Sequence, residues 1–324
     1  KEKFQIKTIR SPVHLRHVSI EYLHQDKIKE FEEIICETSS FTLEELKQMM
    51  LFAWVFSTFQ NLGVFEEFAQ KTQAVSLAEP GITTALEFKD GKLMLGNTRS
   101  LEEIDFSRII ESCEEGKFIE MMANTDVVAV VNWTMIPKMT SILVELVDRI
   151  LPNLPPRDTR SFFFDLTDPA KRSKEDIFEV LQVISRFQAH AEATLGLNYN
   201  EALQVCDTLG LSGGEKDEES LKRMAKEIRR KLEISCVVVH PIDSAACATK
   251  EGEWWTEGPY TENPKITTGA GDHFNAGFST ARLCGFSPLT SLAMATCTSG
   301  HYVRTAQSPS TAQVIELLKQ ATVI

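Results

Sequence analysis

Residues 265 to 278 read KITTGAGDHFNAGF, two close glycines and an aspartate set in front of a run with apolar residues at helical spacing. Phe274, Phe278 and Ala281 share one face of a helix that starts near Asp272, which predicts their burial. The first amides of a helix have no acceptor four residues back, so those of Ala270, Gly271 and Asp272 gather at an end that attracts anions. Gly269 and Gly271 permit positive φ and a close approach of the backbone to a phosphate. The glycines therefore account for an anion loop but leave the acid unexplained. A carboxylate at the mouth of such a loop repels phosphate, unless it accepts a proton from a hydroxyl that attacks that phosphate. Local sequence leaves two readings open for Asp272: a general base, or the residue that caps the helix.

Spacing removes the competing phosphate motifs. A dinucleotide-binding G-x-G-x-x-G read from Gly269 requires glycine at 274, where Phe274 stands. Neither Gly91-Lys92 nor Gly116-Lys117 has a glycine five residues before its own, so no Walker A loop accompanies the LSGGE at Leu211 to Glu215. That fragment resembles an ABC-type ATPase signature and reads as a loop between helices.

Outward from this stretch, short apolar runs alternate with amphipathic patterns from about residue 126 onward, the signature of parallel βαβ units. DVVAVV (126–131), SFFFD (161–165), ATLGL (193–197) and SCVVVH (235–240) read as buried strands. Ser173 and Asp176 form a capping pair for a helix with Ile177, Val180, Leu181 and Ile184 on one face. TTALEFKDGKLMLG (83–96) reads as a hairpin around Asp90-Gly91, and CATKEGEWWT (247–256) as another. Ser287-Pro288 and Ser310 open two closing helices, the second carrying Val314, Leu317 and Leu318. In an open parallel sheet ligands bind at the carboxyl ends of strands, and Asn132, Asp165, Asn198 and His240 all fall there.

Composition bounds the function. The 324 residues are 43% hydrophobic and 25% charged, as expected of a soluble globular chain. With 34 basic against 46 acidic side chains the formal charge is -12, which argues against a nucleic-acid partner. Seven scattered cysteines without a C-x-x-C suit a reducing compartment, and no apolar run is long enough to span a membrane. The expectation is a cytoplasmic protein with no membrane partner. Residues 1 to 62 differ from the rest, containing no glycine and one proline. There Thr42-Leu43-Glu44-Glu45 reads as a capping box for the helix LKQMMLFAWVFSTF, so this segment is expected to be helical.

TTGAGDHFNAGF resembles the C-terminal signature T-x-G-A-G-D-x-F-x-x-G of the PfkB-type carbohydrate kinases, the ribokinase-like superfamily. LNYNEA supplies the family's N-x-x-E as Asn198 and Glu201, and FFFDLTDPAKR resembles its strand end bearing an aspartate and an arginine. The resemblance runs from about residue 64 to the end. It implies a ribokinase-like three-layer α/β sandwich with a mainly parallel central sheet over residues 63–324, beside an atypical helical segment at 1–62. It also implies ATP-dependent phosphoryl transfer to a hydroxyl of a sugar, sugar phosphate or nucleoside. Asp272 is then the catalytic base, with the amides of Gly269, Ala270 and Gly271 as anion hole. Thr268, Asn275, Asn198, Glu201 and His240 line the nucleotide side, Glu201 meeting Mg²⁺ through water, because that ion keeps several of its waters. Dimerisation through a β lid is common in the family, and the hairpin at 83–96 is the candidate lid, although it could equally belong to the core sheet.

Three departures accompany the resemblance. The family's first strand, with its substrate-binding aspartate, and its glycine-glycine motif have no counterpart in residues 1–62. The alternative reading is therefore a nucleotide- or metabolite-binding protein without turnover. Ile266 stands where the family often carries an aspartate linked to a monovalent-cation site, which argues against potassium activation. His240-Pro241 replaces the usual Thr-x-Gly nucleotide loop.

Overall fold

The computed structural model describes residues 7–12, 31–37, 75–79, 82–88 and 91–321. The chain divides into two compact units, Lys1–Ala74 with Thr84–Leu95, and Val75–Thr83 with Gly96–Ile324. Within 1–62 the described residues are strands: β1 (Lys7–Pro12) pairs antiparallel with β2 (Phe31–Glu37), setting Ile9 opposite Ile34. The helical expectation for this segment is corrected at those positions, where Thr8, Ile9, Ile34 and Ile35 are β-branched and favour extended backbone. The helix expected at 46–59 lies outside the described residues. β3 (Ile82–Phe88) and β4 (Gly91–Asn97) form their own two-stranded sheet, so the hairpin is not part of the central sheet. Asp90, at its expected turn, is not among the described residues.

The second unit is built on six strands in spatial order β10-β9-β8-β7-β6-β5. β5 (Val127–Val130), β6 (Ser161–Asp165), β7 (Glu192–Asn198) and β8 (Cys236–His240) run parallel. β9 (Ser244–Ala248) and β10 (Glu253–Glu257) turn back as an antiparallel hairpin at one edge. The parallel strands sit where the apolar runs predicted, and so does the hairpin.

The sheet is covered on both faces, which explains why its strands carry continuous rather than alternating apolar residues. Side chains of a strand alternate between faces. Phe162 and Phe164 thus enter one core and Phe163 the other. On the first face lie the helices Lys174–Phe187, Tyr199–Leu209 and Glu218–Leu232, contributing Val180, Val205 and Met224. Phe187 packs edge-on against Phe162 and Phe164, with ring centroids 4.8 and 5.1 Å apart. The Ser173–Asp176 pair forms the full reciprocal capping box, and Ile177, Val180, Leu181 and Ile184 are buried as their spacing requires. On the second face lie the helices Ala270–Leu283 and Pro288–Thr305, with Phe274, Phe278, Leu292 and Ala295 against Phe163 and Val238. The result is the three-layer α/β sandwich.

Gly277 shows why the motif ends on glycine. A Cβ there would lie 2.7 Å from Thr298 Oγ1 and 3.0 Å from the Ala295 Cα, closer than the facing helix can yield. Gly277→Ala is expected to cost about 1–3 kcal/mol through overpacking, read as a lower urea midpoint. An unchanged midpoint would show that the two helices part at no cost.

Candidate active site

The carboxyl ends of β6, β7 and β8 lie side by side, with Asp165 opposite Gly196 and Asn198 opposite His240. Beside them begins the helix Ala270–Leu283, whose capping residue is Gly269 in the left-handed region at φ 90°. A Cβ on Gly269 would stand 3.1 Å from the Tyr302 hydroxyl, so both conformation and space call for glycine. Asp272 makes no capping bond; it sits exposed in the first turn, which removes the capping explanation for the acid. Phe274, Phe278 and Ala281 are buried, as their spacing predicts. Of the expected anion-hole amides, that of Ala270 donates back to the Thr267 carbonyl at 3.2 Å, closing the turn.

The loop is braced from the helix Pro288–Thr305: the Tyr302 hydroxyl donates to the Thr268 carbonyl at 3.0 Å and the Ser299 hydroxyl to the Ala270 carbonyl at 3.0 Å. His240 comes up against the same loop. Its ring stacks on Phe274 with centroids 4.3 Å apart, and Cε1 lies 3.9 Å from where a Gly271 Cβ would be. Burial pulls its pKa down to about 4, so the imidazole is neutral near pH 7.

Asp165 ties the sheet to the glycine loop. Its Oδ1 accepts from the Thr167 amide at 2.8 Å and from the Thr167 hydroxyl at 3.0 Å. Its Oδ2 accepts from Nδ2 of Asn275, one turn beyond Asp272 on the helix. Asn275, expected on the nucleotide side, therefore has its amide nitrogen committed to the sheet. Burial raises the Asp165 pKa; the Thr167 bonds work against that rise, and the nearby charge of Asp272 adds to it.

Glu201 has a comparable internal role. The Asn198 side chain accepts from the Glu201 amide at 3.0 Å while Glu201 Oε2 accepts from the Asn198 amide at 2.8 Å, a capping box for the helix Tyr199–Leu209. Oε1 accepts from the Asp168 amide at 2.9 Å. With both oxygens so engaged and the side chain only 6% exposed, Glu201 does not fit as a direct ligand of a metal ion. Among the described residues no cluster of three or more His, Cys, Asp or Glu could hold one. Burial is the main cause that lifts the Glu201 pKa to about 7, and the charge of Asp165 adds to it.

Those two carboxylates hold a backbone that nothing in the sequence announces. Thr167 and Asp168 are both left-handed, at φ 59° and 57°. Asn132, at the end of β5, is left-handed as well at φ 66°. A β-branched residue in that region is strained, and strain of this kind gathers at functional sites. Arg172 is absorbed into the structure: its guanidinium donates to the carbonyls of Thr134 at 3.0 Å and Ile136 at 2.8 Å, and lies over the Trp133 ring.

A three-layer sandwich with a glycine-capped helix, and an exposed acid in its first turn at the carboxyl edge of the sheet, defines a ribokinase-like α/β protein. The family model described as prokaryotic ketohexokinase matches residues 52–321, and the chain belongs to that family. Ketohexokinase of Haloferax volcanii is 27% identical over 237 residues, covering 72% of this chain and 61% of that protein. The chain thus spans less than two thirds of that relative's length. Among solved structures, ribokinase from Arabidopsis thaliana complexed with ribose and ATP is similar at 18% identity and a TM-score of 0.53, over 75% of this chain and 70% of that one. Ribokinase from Cryptococcus neoformans in complex with ADP is similar at 16% identity and a TM-score of 0.55, over 80% and 79%. At these identities the likeness shows the fold.

Proposed function

We propose that the chain transfers the γ-phosphoryl group of ATP to a hydroxyl of a small sugar-type acceptor. Ketoses come first, given the family it belongs to, with sugar phosphates and nucleosides behind them. The observation that carries the reading is Asp272: exposed, free of any capping role, and set beside amides that favour an anion. In this mechanism Asp272 takes the proton of the acceptor hydroxyl and the oxygen attacks the γ-phosphorus. The bond from that phosphorus to the bridging oxygen breaks, and ADP leaves with the electron pair. The loop amides and the neutral His240 stabilise phosphate charge; a Mg²⁺ ion bound with the nucleotide, which Glu201 would meet only through water, would supply charge neutralisation.

One observation favours a second reading, a nucleotide-binding protein without turnover: residues 1–62 contain no glycine, so no glycine-glycine motif exists there to approach an acceptor. The two readings separate on ADP release across a panel of ketoses, aldoses, sugar phosphates and nucleosides, with titration of a nonhydrolysable ATP analogue alongside. Acceptor-dependent ADP release establishes the kinase. Analogue binding without release on any acceptor establishes the second reading.

A further inference from the structure

His273 follows the proposed base and has no part in the mechanism above, yet its ring is engaged by Gly269, Ser308 and Tyr302. Its Nδ1 lies 2.7 Å from the Gly269 carbonyl, which is also 3.1 Å from the His273 amide. Its Nε2 lies 2.9 Å from the Ser308 hydroxyl. Its ring lies flat on Tyr302, with centroids 3.7 Å apart and planes inclined by 13°, and Tyr302 in turn holds the Thr268 carbonyl. A carbonyl only accepts, so Nδ1 must carry a proton, and in the neutral ring Nε2 then accepts from Ser308.

We infer that His273 is a positioning residue that sets the orientation of the Gly269–Ala270 peptide and links the anion loop to the turn at Ser308. The peptide is planar, so anchoring the Gly269 oxygen also fixes the direction of the Ala270 amide on the opposite side. A left-handed glycine has no side-chain restraint of its own, and without the imidazole this peptide keeps only two long main-chain bonds, from the Ala270 amide to the Thr267 carbonyl at 3.2 Å and from the His273 amide to the Gly269 carbonyl at 3.1 Å. The inference rests on the loop being the phosphate site.

The test compares the Kd of a nonhydrolysable ATP analogue for wild type, His273→Ala, His273→Asn, His273→Gln and Ser308→Ala, with imidazole ¹⁵N NMR on the wild type. Asparagine places a donor near the Nδ1 position, whereas glutamine reaches only toward the Nε2 position. His273→Ala and His273→Gln are expected to weaken binding about tenfold, the size of one lost hydrogen bond. His273→Asn should restore most of it, Ser308→Ala should weaken binding by a smaller factor, and NMR should show Nδ1 protonated and Nε2 bare. Should a substitution fail to fold, the wild-type NMR and Ser308→Ala still decide. A protonated Nε2 with bare Nδ1, or equal affinity in all folded variants while the wild type binds, overturns the inference alone. A wild type that binds no nucleotide overturns the kinase reading and the inference together.

Discussion

Asp272→Asn is expected to lower kcat by about 10²- to 10⁴-fold while leaving the affinity for ATP intact or slightly improved. The amide is isosteric with the carboxylate and cannot accept the acceptor's proton. Removing a negative charge from the mouth of an anion loop does not weaken phosphate binding. The substitution is also clean structurally, because Asp272 makes no capping bond and is exposed. The only structural loss is its interaction with the helix dipole, about 0.3–1 kcal/mol for a first-turn acid. Steady-state ADP release, at a temperature where both proteins are folded, measures the effect. Equal turnover in the two proteins would remove Asp272 from the chemistry.

Glu201→Ala carries the largest expected effect on stability, and its size depends on pH. The substitution leaves the Asp168 and Asn198 amides without their acceptor and opens the capping box, an expected cost of about 3–5 kcal/mol near pH 5. The folded pKa of about 7 lies above the ordinary 4.5, so the folded state holds the proton more tightly than the unfolded chain. The stability contributed by that proton is full below pH 4.5 and is lost as pH rises through 7, by about 3 kcal/mol. The alanine variant has no such loss, so the difference between the proteins should shrink by about 2.5 kcal/mol between pH 5 and 8, where most of that loss falls. Urea unfolding at the two pH values tests it, and a penalty that grows with pH would contradict the account.

What could be read from the sequence was local. The strand at 161–165, the Ser173–Asp176 box and the helix opened by Gly269 each depend on residues within a few positions, and each stands where it was expected. The N-x-x-E resemblance pairs Asn198 with Glu201, but the second oxygen of Glu201 reaches Asp168, 33 positions away, and no periodicity reports that. Thr167 and Asp168 adopt positive φ without a glycine to mark them. Nothing near His273 in the sequence marks its contacts, because Ser308 lies 35 positions on. Arg172, the arginine of the FFFDLTDPAKR resemblance, is a clamp on main-chain carbonyls, which the sequence does not announce. The strands at 7–12 and 31–37 escape a reading that rests on the capping box at Thr42–Glu45, because that signal is local to the residues after it and says nothing of the β-branched stretches before it.

The strand Ser161–Asp165 has a further consequence for how the second unit comes apart. Phe162 and Phe164 belong to one apolar layer and Phe163 to the other, so neither helical layer can separate without exposing a ring of this strand. Partial opening that releases one layer alone is thereby disfavoured, and the two layers are coupled into one cooperative block. Amide hydrogens along this strand should accordingly exchange with solvent only through global unfolding, at rates that track the whole free energy of the unit rather than any local fluctuation.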